Sequence, residues 1–287
     1  MVDNRIKIIG YLMPRPAFAC FHLTPPNKGT AETYWAFFQI MAATIRRVCP
    51  DAEIHLLTNS HSDVPTDLNV DQVFRLATLR SQKECFARLM VEEVECWQAY
   101  FASDIFAGPT VLIDVDLLIQ KNPFALFDGA FDIGLTYTDD ASLHAFNSGV
   151  ILVDPTRPEN IQRYFASVVE KVRSYAPEFQ EWYGDQMAIA AMLGDPDFST
   201  ASPAIIDQEK ADVLYRLWPT VAWNFSLPLD ADNKPIFEAA PNSGILHFKG
   251  ERKALMLRYA VEILGYEAGE NSNAVGGWEI SDPLGDR

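Results

Sequence analysis

The chain of 287 residues is poor in the groups that mark several function classes. It has four cysteines, Cys20, Cys49, Cys85 and Cys96, with no two closer than 11 positions. That leaves no Cys-x-x-Cys pair for structural zinc or dithiol redox work, so the four are read as reduced, packed thiols. No apolar run approaches the ~20 residues that a membrane-spanning helix needs, and the apolar stretch within residues 1–13 is too short for a secretory signal. A cytoplasmic location is expected, and the Asn224-Phe225-Ser226 triplet is then a chance match to a glycosylation site. Cations are scarce: 23 Lys and Arg stand against 39 Asp and Glu, a formal charge of −16. The mean field repels a phosphate backbone, which excludes nucleic acid as a partner. A smaller phosphate-bearing ligand would need cations gathered at one site. There is no internal repeat, and no pattern in the sequence encodes an oligomeric state.

What is present is core-forming material, 48% apolar residues with 22% charged. A chain of this length buries roughly 75% of its extended-state surface, so the fold needs no metal or cystine staple. Any metal is there for chemistry.

The pattern of elements is α/β. Residues 6–12 read as a short buried strand, and Pro14, Pro16, Pro25, Pro26 and Gly29 then predict a long irregular loop. A helix over 33–48 and a strand over 53–58 complete a βαβ opening with a parallel sheet. Ser81-Gln82-Lys83-Glu84 has the capping-box form and predicts one long helix over 82–103. Gly108-Pro109 punctuates, and the β-branched, continuously apolar run at 110–115 predicts a strand buried on both faces. Strands are expected at 131–137 and 149–153. A second capping box, Thr156-Arg157-Pro158-Glu159, opens a helix that runs to about residue 175, and another helix covers 185–193. Strand pieces at 204–206, 213–217 and 245–248 precede a helix over 253–264, which Gly265 stops. Residues 269–287 are expected to form a loosely ordered tail.

The sharpest chemical feature is Thr110-Val-Leu-Ile-Asp114-Val115-Asp116, two carboxylates at the carboxyl end of an apolar strand, the edge at which open α/β sheets bind ligands. A spacing of two puts both on one side of a pleated strand, where they repel unless a cation joins them. Oxygen donors favour magnesium, manganese or calcium. Further on, Ile245-Leu246-His247-Phe248-Lys249-Gly250-Glu251-Arg252-Lys253 is an apolar strand ending in His-x-x-Gly-x-x-Lys. An imidazole would complete a mixed N/O metal site, the glycine would let backbone amides approach a phosphate, and the lysine would add a point charge.

An apolar run ending in Asp-x-Asp occurs in two enzyme families. The haloacid-dehalogenase-like phosphatases use the first Asp as nucleophile and want Thr or Ser where this chain has Leu118. The second pattern fits better. Asp114-x-Asp116 with His247, Gly250 and Lys253 resembles the retaining nucleotide-sugar glycosyltransferases that include glycogenin and bacterial lipooligosaccharide galactosyltransferases. Three more segments resemble that family in the same order along the chain: Arg88 in Phe86-Ala87-Arg88-Leu89, Asn147 in Phe146-Asn147-Ser148-Gly149, and the pair Asp185-Gln186. Trp223-Asn224 is similar to a Trp-Asn element on the family's acceptor side, and Asp139 and Asp140 fall where the family meets the sugar.

The resemblance implies a GT-A (Rossmann-like) α/β fold, a mixed, mostly parallel central sheet flanked by helices in a single domain. The catalytic domain would span residues 1–268, with a nucleotide-binding part over about 1–120 and an acceptor part over about 121–268. It implies a divalent metal, Mn2+ or Mg2+, on Asp114, Asp116 and His247. Arg88, Asp114, Gly250 and Lys253 would meet the donor, a UDP-sugar, and Asp185, Gln186 and Asn147 would form the catalytic group. The partners would be the nucleotide sugar and a carbohydrate or other hydroxyl acceptor. The implied activity is glycosyl transfer with retention of configuration; the alternatives are the phosphatase with Asp114 as nucleophile and a catalytically silent nucleotide-sugar binder.

Overall fold

The computed structural model describes residues 14–138, 146–194, 205–230, 236 and 242–265. The first expected strand, Asp139, Asp140 and the tail at 269–287 lie outside the described residues.

The first described strand corrects the loop expected after residue 12. Ala17-Phe-Ala-Cys-Phe21 contains no turn former, and it is β1 (Ala17–Phe21), with four of its five residues buried. Pro14 and Pro16 precede the strand and Pro25 and Pro26 follow it, so the prolines flank a central strand without removing a ladder hydrogen bond. Asn27 caps α1 (Lys28–Val48) by accepting the amide of Thr30, which starts this helix ahead of the expected residue 33. β2 (Glu53–Asn59) and β3 (Gln72–Leu76) follow, β3 without a counterpart in the sequence reading.

The capping box at Ser81 and Glu84 forms, but the helix it opens is short. α2 (Gln82–Phe86) ends before Arg88, whose φ of −138° and ψ of 43° break the expected long helix, and α3 (Leu89–Phe101) starts anew from the Arg88 carbonyl. After β4 (Thr110–Ile113) come β5 (Leu117–Ile119), β6 (Ile133–Tyr137) and β7 (Phe146–Val153). The capping box expected at Thr156 does not form. Thr156 turns back onto the Asp154 carboxylate, and Arg157 precedes α4 (Pro158–Arg173) without a side-chain cap. The remaining elements are α5 (Pro177–Glu181), α6 (Gly184–Leu193), β8 (Ile206–Lys210), β9 (Val213–Pro219), α7 (Thr220–Trp223), β10 (Ile245–His247) and α8 (Lys253–Glu262). Gly265 follows α8 with φ +68°, as its stop role requires.

Eight strands form one mixed sheet in the order β3-β2-β1-β4-β7-β6-β9-β8, and β5 pairs with β10 in a separate antiparallel ribbon. β3, β2, β1 and β4 are parallel, β7 runs against both β4 and β6, and β6 is parallel to β9. This is the expected mixed, mostly parallel sheet in a single domain. One buried cluster gathers α1, α8, β5 and β10; the other gathers α3, α4 and α6. The chain leaves β1 toward β2 and β3, then returns to place β4 on the other side of β1. That reversal opens a crevice at the carboxyl ends of β1 and β4, the place where doubly wound sheets bind ligands.

Candidate metal centre

β4 is apolar and fully buried, and it ends at Ile113, not at the expected residue 115. Asp114 and Asp116 therefore sit on the turn between β4 and β5, and the turn, not the pleat, brings their carboxylates together. Two backbone bonds pin it: the Asp114 amide donates to the Gly149 carbonyl at 3.1 Å and the Phe248 amide to the Asp116 carbonyl at 3.0 Å. In the ribbon, His247 lies opposite Leu117, beside Asp116. Its Nε2 is 3.4 Å from Asp114 Oδ2 and 3.3 Å from Asp116 Oδ1. One donor atom from each of these three residues lies within 4.8 Å of the others.

Lys253 Nζ, at the start of α8, is 3.2 Å from Asp116 Oδ2 and stands over the Tyr34 ring at 5.3 Å. Loss of hydration is the largest influence on both carboxyls. For Asp116, Lys253 and His247 overcome it and hold the acid well below the usual carboxylate range. Desolvation prevails at Asp114, whose pKa rises to about 6, with Asp116 and Asp185 adding to the rise against His247 and Lys253. Asp116 also lifts Lys253 above the ordinary lysine range despite its burial. Gly250 has φ +57° and open space where a side chain would stand, so its backbone can be approached closely.

The state of the His247 ring follows from its neighbours. Asn147 Oδ1 accepts the backbone N–H of Gly149 at 3.2 Å, which fixes that atom as an oxygen. The Asn224 atom 2.8 Å away is then its amide nitrogen, which also donates to Thr136 Oγ1 at 2.8 Å. Asn224 Oδ1 consequently faces His247 Nδ1, at 2.8 Å, and that ring nitrogen carries the proton. That leaves Nε2, 3.4 Å from Asp114 Oδ2 and 3.3 Å from Asp116 Oδ1, as the ring atom that can bind a cation. Three ligand atoms this close suit a divalent cation, and oxygen plus imidazole donors suit manganese or magnesium.

The other expected residues are placed as follows. Asn147, at the start of β7, donates through Nδ2 to Gln186 Oε1 at 3.0 Å. Asp185 and Gln186 are buried in the first turn of α6. Burial raises the Asp185 carboxyl, against hydrogen bonds from Ser148 and from the helix backbone. Arg88 donates through Nε to Gln180 Oε1 at 2.8 Å and makes no ion pair with the acid pair. Arg88 is thus held through Nε to α5.

Three residues beyond the expected site set stand beside it. Asn224 is 1% exposed at the end of α7 and joins His247 to Asn147, which also bars it from glycosylation in the folded chain. Its only signal was the Trp223-Asn224 likeness. Glu93 is buried on α3, and burial, then Asp185 and Asp114, raise its carboxyl well above the usual range. It sits beside a second buried acid, Glu92, so position along the helix gave no cue. Gly149 lies against His247 and Asp114.

No family model matches this sequence, and no curated protein matches it. Solved structures do. A glycosyltransferase involved in glycosylating the major capsid of PBCV-1 superposes with a TM-score of 0.50 at 10% identity, over 85% of this chain and all of that one. The glycosyltransferase GlyE of Streptococcus pneumoniae TIGR4 in its apo form gives 0.51 at 13%, over 86% of this chain and 60% of GlyE. The fold is a glycosyltransferase fold. The galactosyltransferase LgtC, solved with donor and acceptor sugar analogues, is a looser match, with a TM-score of 0.47 at 13% identity over 82% of this chain and 87% of LgtC. In this glycosyltransferase fold the Asp114–Asp116–His247 group occupies the carboxyl edge of the sheet beside the β1–β4 crevice. No helix among the described residues is long and apolar enough to cross a membrane.

Proposed function

We propose that this chain is a glycosyltransferase that moves a sugar from a nucleotide diphosphate sugar, a UDP-sugar, to an acceptor hydroxyl with retention of configuration. The observation that carries this reading is the convergence of Asp114, Asp116 and His247 Nε2 beside Lys253. Asp114, Asp116 and His247 would hold Mn2+ or Mg2+, which when bound supplies positive charge for a diphosphate leaving group. Lys253 adds a second charge, and Gly250 offers backbone amides to the phosphates. These cations answer the −16 field locally. Arg88 completes the proposed donor contacts.

The bond from the anomeric carbon to the phosphate oxygen breaks, and its electron pair stays on that oxygen. The acceptor oxygen forms the new bond on the same face, and its proton passes to the departing phosphate. Asp185, Gln186 and Asn147 orient the sugar through this oxocarbenium-like passage. The N-terminal part to about residue 120 takes the nucleotide, and residues to about 268 take the acceptor. Free, buried thiols fit a reducing, cytoplasmic setting. Asp116, held ionised by Lys253 and His247, suits a ligand and not the proton-donating second Asp of a phosphatase.

Thermal shift against a panel of nucleotide sugars, with and without Mn2+, tests the reading. Ligand at 100 times its dissociation constant stabilises by about 2.7 kcal/mol. The expected outcome is a rise in Tm for one donor that requires Mn2+; no rise with any nucleotide sugar in Mn2+ would refute it.

A further inference from the structure

Four side chains form one hydrogen-bonded line from the metal centre to the sugar-side residues. His247 Nδ1 donates to Asn224 Oδ1, Asn224 Nδ2 to Asn147 Oδ1, and Asn147 Nδ2 to Gln186 Oε1, at 2.8, 2.8 and 3.0 Å. Each amide could in principle be turned, but the Gly149 backbone N–H on Asn147 Oδ1 admits only one direction. Every dipole therefore points the same way, and such chains polarise cooperatively. At the far end Gln186 has its oxygen engaged, and its amide nitrogen has no acceptor among the described residues. Asn224 and Thr136 are buried at 1% and 0% exposure, so water does not replace these bonds.

We infer that Asn224 is a positioning residue that couples His247 to Gln186 and makes the Gln186 NH2 group, a hydrogen-bond donor, the face shown to the donor sugar. Resting on the glycosyltransferase reading, this gives Gln186 an orienting role and leaves its oxygen turned away from the anomeric carbon. With a cation held on Nε2, His247 Nδ1–H would be a stronger donor, and the effect would pass along the line to Gln186. The residue at the metal and the residue at the sugar then respond together.

Two near-isosteric variants test it. In Asn224→Asp the carboxylate still accepts from His247 but cannot donate to Asn147. In Asn147→Asp the carboxylate still accepts from Asn224 and Gly149 but cannot donate to Gln186. Both leave the metal ligands intact; Asn147→Asp frees Gln186 to turn, and Asn224→Asp breaks the line one step earlier by setting a carboxylate oxygen against Asn147 Oδ1. Mn2+ affinity, read by the EPR signal of free Mn2+, is expected to stay within about threefold of wild type, whereas Asn224→Ala, which orphans the imidazole, loses about 10- to 100-fold. For the two Asp variants kcat is expected to fall at least about tenfold, the scale of a lost oriented hydrogen bond, with donor KM little changed. With 15N-labelled glutamine, the Gln186 side-chain amide signal should shift on adding Mg2+ to wild type and stay fixed in Asn224→Asp. Wild-type kcat in either Asp variant, or a Gln186 signal that shifts in Asn224→Asp as in wild type, overturns the inference. Absence of Mn2+ and donor binding in wild type itself would instead overturn the function proposed above.

Discussion

At the scale of single residues, Gly149 shows how little room the site allows. A Cβ there would stand 2.4 Å from His247 Cε1 and 2.6 Å from Asp114 Oδ2, well inside van der Waals contact. The Gly149→Ala variant must push two proposed ligands apart while β7, buried beyond this point, stays paired to β4. It is expected to keep its circular dichroism spectrum and lose metal affinity about 10- to 100-fold, as measured by Mn2+ titration. Residues of this kind mark the limit of what the sequence disclosed. Asp114, Asp116, His247 and Lys253 were legible because each carries chemistry that a motif can encode. Asn224 and Gly149 stood inside quoted segments, but they act through geometry between segments far apart in sequence, which no spacing reveals. Arg88 was legible as a cation, but not its attachment to Gln180.

At the scale of elements, one buried clamp joins three of them. Asp132, 1% exposed just before β6, accepts from Arg157 Nε at 2.7 Å, from Arg157 Nη2, and from the Leu214 amide of β9 at 2.8 Å. Arg157 stands at the head of α4. Replacing it by alanine leaves a buried carboxylate with one backbone donor, at a cost of about 3 kcal/mol, read as a lower urea midpoint with the m-value unchanged. This loss belongs to stability and not to the site. The elements themselves divide by the strength of their pattern. Long amphipathic helices such as α4 were legible from periodicity, and β4 from its unbroken apolar run. β1 was hidden by the prolines that frame it, β3 by a mostly exposed edge, and β5 by having only three residues. The break at Arg88 carries neither glycine nor proline, so the pattern ran through it.

At the scale of the whole molecule, the order of the strands decides where the chemistry falls. The return of the chain from β3 to β4 opens the crevice, and the β5–β10 ribbon carries His247 across to meet the acids on the β4–β5 turn. On the proposed function, a chain with a formal charge of −16 would depend on a few cations at this one edge to receive a diphosphate. The sequence foretold the sheet type and the two acids at the carboxyl end of a central strand; the ribbon that brings His247 to them is a tertiary pairing between segments over a hundred residues apart and left no local trace. The most direct measurement is isothermal titration of Mn2+ into the wild-type chain and into Asp116→Ala, each in the presence of UDP. One ion per wild-type chain and none bound to a still folded Asp116→Ala is the predicted result. Equal Mn2+ binding by the two would contradict the account.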